Sequence, residues 1–255
     1  MSFTQACFLF FVAWITGILN SVAGGGGLII FPALIFAGLP PISANATSAI
    51  AFWPGLIAGT GAYYKELQPH LRLFLLFGSV SLIGGLLGAM LLLQIPTTLF
   101  THLVPYLLLF ATLLFTFSNS LTERLNITFG EADQDTRYSL LKPLLIYFLV
   151  AIYGGFYGLG ITFLMFAVMG MLGMKNIHQM NALKTLLMSC INSFAAVTFI
   201  FAGVVAWQQA VLMMFGTIIG GYSGAYYSRQ LNPHIVRRFV IVVAWVITCY
   251  FFVRR

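Results

Sequence analysis

One basic side chain lies inside an otherwise apolar run of this chain. All five acidic residues and eleven of the twelve lysines and arginines fall in polar connections or at the ends of apolar runs, whereas Lys184 falls within one. At helical spacing, Asn181, Thr185, Ser189 and Asn192 share a face with it. The pattern predicts an ammonium group that attracts a small anion into a polar cavity. The alternative is snorkelling to the surface, since Lys184 lies about one and a half turns after the predicted helix start.

A matching polar segment occurs near the start of the chain. Asn45, Thr47 and Ser48 open another apolar run, in which Ser48 has the position that Lys184 has in the later one. Neutral donors on one side and a cation on the other would form an asymmetric pocket for an anion. Asparagine, serine and threonine are also suited to capping a helix. Capping and ligand contact are compatible roles for these side chains.

Glycines interrupt two of the apolar runs. The glycines concerned are Gly24, Gly25, Gly26, Gly27, Gly158 and Gly160. Each disfavours a continuous helix by about 1 kcal/mol, so the clusters predict breaks in the helices. A helix that starts after such a break presents free N–H groups and its positive dipole end to the gap, which favours a bound anion. The alternative is that these glycines allow close packing of helices.

A G-x-S-G sequence over 221–224 matches the nucleophile motif of intramembrane serine proteases. A nucleophilic serine needs a nearby base. The four histidines lie in polar connections or near the ends of apolar runs: His70, His102, His178 and His234. In a second copy of this segment, Leu87 replaces Ser223 and only the glycine spacing is kept. The motif therefore indicates helix packing. No catalytic residue, metal site or cofactor is predicted, because the three cysteines are isolated as well.

The composition is that of an integral membrane protein. Of the 255 residues, 60% are hydrophobic and 7% are charged, against roughly 45–50% and 25% in soluble domains. Apolar runs of about 17–25 residues recur, long enough to cross a bilayer as helices. The runs are 5–22, 24–37, 45–64, 71–93, 98–118, 143–157, 159–174, 180–206, 207–228 and 235–253. The net charge of +7 comes from bases spread over short connections, which indicates loop anchoring and not nucleic-acid binding. The sequence predicts an all-α, multi-pass protein of the plasma membrane, with the lipid bilayer as a partner and the first run retained.

Residues 24–94 recur in degraded form 136 positions later, without a gap. The glycine-rich block over 83–89 returns at 219–225, and the Asn-Ala pair at 45–46 returns at 181–182. Two homologous halves in a membrane protein are typical of transporters that hold substrate between the halves. The predicted organisation is a first transmembrane repeat over 1–118, a polar linker loop over 119–142 and a second transmembrane repeat over 143–255.

Whether the second half is parallel or inverted relative to the first depends on how the glycine-broken stretch over 5–37 crosses the membrane. If this stretch crosses the membrane once, the halves are parallel and the eleven basic residues of the connections divide seven to four between the two faces. If it forms a hairpin or re-entrant pair, the halves are inverted. The division is then nine to two, with Arg254 and Arg255 opposite the rest. The positive-inside tendency favours an inverted repeat, in which about three spanning helices follow each broken stretch. The linker is then cytoplasmic and both termini lie outside.

Several blocks of residues in characteristic order run through the chain. They are 23–32, 38–41 and 45–48 in the first half, and 154–160, 181–185 and 201–207 in the second. Through these blocks the chain resembles the sulfite exporter TauE/SafE family of membrane permeases over nearly its whole length. The resemblance implies transport of sulfite or of organosulfur anions such as sulfonates, whereas the residues alone imply a small anion. Ile161 and Thr162 depart from the family's richer glycine pattern after Gly160.

The predicted mechanism is alternating access, with the two repeats rocking around a cavity at the midplane. The predicted lining is Gly24, Gly25, Gly26, Gly27, Asn45, Thr47, Ser48, Gly158, Gly160, Asn181, Lys184 and Thr185. Lys184 supplies the attraction, and the half-helix ends and hydroxyls bind the oxyanion. The alternatives are an anion channel of the same specificity and a membrane scaffold protein without transport activity. A second copy of the chain, in a homodimer, is a further candidate partner.

Overall fold

The computed structural model of the protein describes residues 1–22, 25–62, 71–129, 138–174, 177–227 and 233–253. Within these ranges the regular structure consists of ten helices and no strand. The helices are α1 (Phe3–Val22), α2 (Gly27–Phe36), α3 (Pro41–Ala62), α4 (Leu71–Gln94), α5 (Thr97–Phe129), α6 (Tyr138–Phe156), α7 (Ile161–Met171), α8 (Ile177–Phe201), α9 (Trp207–Tyr227) and α10 (Pro233–Val253). The prediction of an all-α chain is confirmed for this part of the protein.

Five of these helices contain segments long and apolar enough to cross a bilayer. The segments are Phe3–Asn20, Phe74–Gln94, Thr97–Phe117, Gln179–Phe201 and Ile235–Val253. Large apolar side chains cover the outside of the bundle; Leu149 and Phe215, for example, are 67% and 60% exposed. Contiguous exposed apolar surface of this kind is unusual for a soluble protein and suits a lipid environment. The protein is a multi-pass membrane protein.

The two predicted glycine breaks separate a long helix from a short one. Gly25 lies between α1 and α2 with φ +81°, and Gly160 lies before α7 with φ +76°. Residues with a Cβ pay about 1–2 kcal/mol in this left-handed region, so glycine is needed to turn the chain. The short helices α2 and α7 both start directly after these turns.

The helices of the second half follow the order of the first. Adding 136 to the bounds of α2 gives 163–172, close to the observed Ile161–Met171. The packing follows the same correspondence, because α1 packs on α9, and its equivalent α6 packs on α4, the equivalent of α9. Glycines allow this contact: a Cβ at Gly88 of α4 would lie 2.6 Å from the Phe156 nitrogen. The repeat in the sequence is therefore also a repeat of helix order and helix pairing.

Equivalent helices of the two halves pack on each other in opposite directions. Along α5 and α10, Tyr106 stacks edge-on with Phe252, and ten residues later Thr116 accepts a hydrogen bond from Trp245, which precedes Phe252. Along α3 and α8, Trp53 Nε1 donates to Ser193 Oγ at 2.9 Å, while the earlier residue at 50 packs with the later one at 196. Both pairs of equivalent helices are antiparallel.

The segment predicted as a polar linker is helical at both ends. Helix α5 continues to Phe129 and α6 starts at Tyr138, so the predicted bounds of 118 and 143 are shorter than the helices. The polar residues after 118 include no glycine or proline before the helix ends, and helix formation does not depend on apolar character. Residues 130–137 lie outside the described ranges, and the domain boundaries stay predictions.

Candidate functional site

A cavity of about 70 Å³ lies between the two halves. Its polar lining residues are Asn20, Asn45, Ser48, Tyr157, Thr162 and Asn192. Phenylalanine, leucine, isoleucine and methionine side chains of α2, α3, α7 and α8 complete the wall. One water needs roughly 10–15 Å³ of such space, so the cavity has room for several waters or one small polyatomic ion.

Both glycine breaks meet at this cavity. Gly25 and Gly27 line it from the first half, and Gly158 and Gly160 line it from the second. The two turns are in contact, because a Cβ at Gly27 would lie 2.7 Å from the Leu159 side chain. The starts of α2 and α7 therefore lie on opposite walls of one space, and their positive dipole ends favour an anion there.

Asn45 and Ser48 of α3 are the two predicted polar side chains that line the cavity. Asn45 is buried and its Nδ2 donates to the Phe156 carbonyl at 3.1 Å, which links the two halves. An amide has two N–H donors, so the second stays available to a ligand. Ser48 Oγ donates to the Asn45 carbonyl at 2.8 Å, and its oxygen is left as an acceptor for water or for a protonated ligand.

Tyr157 is a cavity residue that the sequence reasoning did not select. It is 4% exposed, and its hydroxyl has no hydrogen-bond partner among the described residues. A buried hydroxyl without a partner costs about 1–3 kcal/mol, and a ligand or a water that bonded to it would remove this cost. Its position within the glycine-rich block over 154–160 was the signal that could have identified it.

Asn192 also lines the cavity, although the prediction used it only as support for Lys184. Its Nδ2 donates to the Met188 carbonyl at 2.9 Å, so the amide is held by its own helix. Thr162 stands close by, with Oγ1 3.9 Å from Met188 Sδ. The residues that depart from the family pattern after Gly160 are therefore part of the cavity wall.

Several predicted site residues lie elsewhere. Gly24 is outside the described residues. Gly26 precedes α2 and packs on α1, where a Cβ would lie 2.9 Å from the Thr16 methyl group. Thr47 is buried and accepts a hydrogen bond from the Ala206 nitrogen at 3.0 Å. Gly26 and Thr47 therefore pack between the helices around the cavity and do not form its surface.

Lys184 does not reach this cavity. Its side chain is 5% exposed, and Nζ lies 5.7 Å from the centroid of the Phe166 ring on α7. Asn181 and Thr185 lie beside it and are also absent from the cavity wall; Thr185 Oγ1 donates to the Asn181 carbonyl at 2.8 Å. The lysine is turned inwards and does not snorkel.

Lys184 comes before the segment of α8 that lines the cavity. Trp53 contacts Ser193 and residue 50 packs with residue 196, so the antiparallel helices α3 and α8 cross near Ile191. Lys184 comes seven residues before Ile191, which is about 10 Å along the helix, whereas the cavity residues of α8 run from 188 to 199. The structure thus divides the predicted set of residues between two places.

Within the described ranges, no three histidine, cysteine, aspartate or glutamate side chains come together as metal ligands. The described wall of the cavity contains no carboxylate, ammonium, guanidinium or imidazole group; amide and hydroxyl groups provide its polarity. Such a site can bind and orient a small anion or polar molecule.

A cavity with polar groups between two corresponding halves of a membrane protein is typical of membrane transport proteins. The family model "Sulfite exporter TauE/SafE" matches residues 9–251. The chain belongs to this family, and the resemblance seen in the sequence is confirmed.

Three relatives support the same class. The chain is 28% identical to the "Probable membrane transporter protein ORF9" of Sinorhizobium sp, over 96% of this chain and 91% of the relative. It is 28% identical to a "Probable membrane transporter protein" of Haemophilus influenzae, over 94% and 91%, and 22% identical to the "Probable membrane transporter protein YdhB" of Bacillus subtilis, over 86% and 87%. No solved structure matches the chain.

Proposed function

We propose that this protein carries small sulfur-containing anions, of the sulfite or organosulfonate type, across the plasma membrane by alternating access. The cavity where the two glycine breaks meet carries the proposal. Helix starts and neutral donors from both halves surround a space that suits a small oxyanion. The family's description, which refers to sulfite export, supports the choice of substrate class.

An inverted arrangement of the two halves, as proposed here, supports alternating access around this cavity. Helices related by an axis along the membrane normal run parallel, and helices related by an axis in the membrane plane run antiparallel. Equivalent helices pack antiparallel in this protein. Thr112 and Thr248, whose hydroxyls lie 3.1 Å apart, differ in number by 136, so a two-fold axis between the halves would pass between them. The antiparallel packing therefore fits halves that are related by an axis in the membrane plane.

The cavity lies toward one end of the bundle. Its lining on α3 runs from 45 to 56 and on α8 from 188 to 199, from the middle of the bundle toward the end that carries the connections over 37–40 and 202–206. The end of α10 is there too, because Phe36 stacks with Tyr250. In the topology that the basic residues favour, Arg254 and Arg255 place this end outside. We therefore propose that this conformation opens to the outside.

Transport in proteoliposomes tests this function. We expect saturable uptake of labelled sulfite, thiosulfate, taurine or sulfoacetate, with weak competition by chloride. Ser48→Ala should raise the KM for the transported anion about 2–10-fold, because a neutral hydrogen bond contributes about 0.5–1.5 kcal/mol.

Ser79→Ala is the matched control. Ser79 Oγ donates to the Leu76 carbonyl at 2.9 Å, much as Ser48 Oγ bonds to Asn45, but Ser79 is exposed on the outside of α4. The KM of the Ser79→Ala protein should equal that of the unchanged protein. Uptake that fails to saturate and shows no counter-transport would indicate a channel. Absence of both uptake and anion-dependent thermal stabilisation would indicate a scaffold protein.

A further inference from the structure

Lys184 and Phe166 are the repeat equivalents of two residues that line the cavity. Subtracting 136 gives Ser48 and Ile30, and both of these lie on the cavity wall. Ile30 and Ser48 therefore border a cavity in the first half. Their equivalents in the second half, Phe166 and Lys184, pack against each other.

Apolar side chains pack around Lys184 and Phe166. The Lys184 ammonium lies over the Phe166 ring, and the surrounding cluster includes Met165, Met169 and Leu187, which are almost fully buried. A cation over an aromatic face gains about 2 kcal/mol when desolvated. This contact stabilises the lysine in a place where the described side chains offer no carboxylate.

The two ends of the bundle therefore differ although their helices correspond. The first halves of α3 and α8 occupy equivalent positions on opposite sides of the crossing, since these helices are antiparallel. A cavity is present beside Ser48, and tight packing is present beside Lys184. If the halves exchange conformations, the packing moves to the Ser48 end and the cavity opens at the Lys184 end.

We propose that Asn181 and Lys184 form a second binding site for the transported anion, which opens at the opposite face of the membrane when the cavity beside Asn45 and Ser48 closes. This inference rests on the proposed alternating-access function. In the described conformation the Phe166 ring covers the ammonium group. In the exchanged conformation the anion replaces the ring as the partner of Lys184.

The two faces then bind the same anion with different strength. One face offers neutral donors, and the other adds an ammonium group. A hydrogen bond to a charged partner is roughly twice as strong as a neutral one. The KM measured from the Lys184 face should be about 5–10-fold lower.

Cysteine labelling tests the opening of the second site. Ala49 and Thr185 are repeat equivalents that leave Ser48 and Lys184 intact. In a protein without its native cysteines, Ala49→Cys and Thr185→Cys are treated with a membrane-impermeant thiol reagent in right-side-out and in inverted vesicles. We expect labelling of each cysteine from one face only, and from opposite faces.

Ala49→Cys provides the positive control, because Ala49 lines the described cavity. Labelling of both cysteines from the same face, or a Thr185→Cys protein that transports anions but is labelled from neither face, would overturn the second site and leave the proposed function intact. A labelled Ala49→Cys protein without anion transport would contradict the proposed function itself.

A second measurement does not depend on cysteine. Lys184→Met should raise the KM about 5–10-fold for anion supplied at the Lys184 face and leave the KM at the other face unchanged. Lys184→Arg should restore the lower value because it keeps the charge. Equal loss at both faces in Lys184→Met, with normal protein in the membrane, would show a single shared site.

Discussion

Replacing Gly160 by alanine separates the role of the glycine break from ordinary backbone strain. Gly160 and Gly173 have the same φ of +76°, so alanine should cost about 1–2 kcal/mol of unfolding free energy at either position. The surroundings differ. A Cβ at Gly160 would lie 3.1 Å from Ala111 Cα and 3.2 Å from its Cβ, whereas a Cβ at Gly173 meets nothing within 4 Å.

The additional contact acts on the cavity. Carbon atoms in ordinary contact lie about 3.5–4.0 Å apart. Gly160→Ala must therefore move either the start of α7 or the part of α5 around Ala111 by a few tenths of an ångström. Gly160 lines the cavity, and this shift changes its shape. We expect Gly173→Ala to lower Tm by about 2–8 °C with normal transport, and Gly160→Ala to lower Tm further and to reduce the transport rate several-fold.

Thermal unfolding in detergent and anion uptake in proteoliposomes are the two assays, made on both variants side by side. Equal losses of Tm and equal transport in the two variants would refute the reasoning, because backbone strain alone would then explain both. Loss of transport in Gly173→Ala with full transport in Gly160→Ala would contradict the assignment of the break to the cavity.

Three further changes test other parts of the structure. Tyr157→Phe should keep or raise the stability of the ligand-free protein, since it removes a buried hydroxyl without a described partner. It should weaken anion binding about 2–10-fold in a titration. Unchanged binding would exclude this hydroxyl as a ligand contact. A double-mutant cycle of Trp53→Phe and Ser193→Ala should give a coupling of about 0.5–1.5 kcal/mol for their hydrogen bond between α3 and α8, and additive effects would argue against that contact. Gly88→Ala should destabilise the protein, because its Cβ would lie 2.6 Å from the backbone of α6. Gly78→Ala on the same helix meets only the Phe74 ring at 3.3 Å and should be close to neutral. Similar Tm values for both variants would contradict the packing of α4 on α6.

Local features of the sequence determined the helical membrane fold, the two halves and the two breaks. Apolar runs of spanning length require helices in lipid because every backbone polar group must be satisfied there. Gly25 and Gly160 marked the turns, since only glycine takes the left-handed conformation readily. Asn45 and Ser48, in the first half of α3, line the same cavity as Gly25 and Gly160.

The tertiary structure alone decided which of these residues share a cavity. The sequence aligned Ser48 with Lys184 and suggested one pocket with a neutral side and a charged side. Because α3 and α8 cross in opposite directions, equivalent positions lie on opposite sides of their crossing, about 10 Å away from it along each helix. Which end is open depends on the packing of α7 against α8 and α5, and such long-range packing cannot be read from the spacing of residues along the chain.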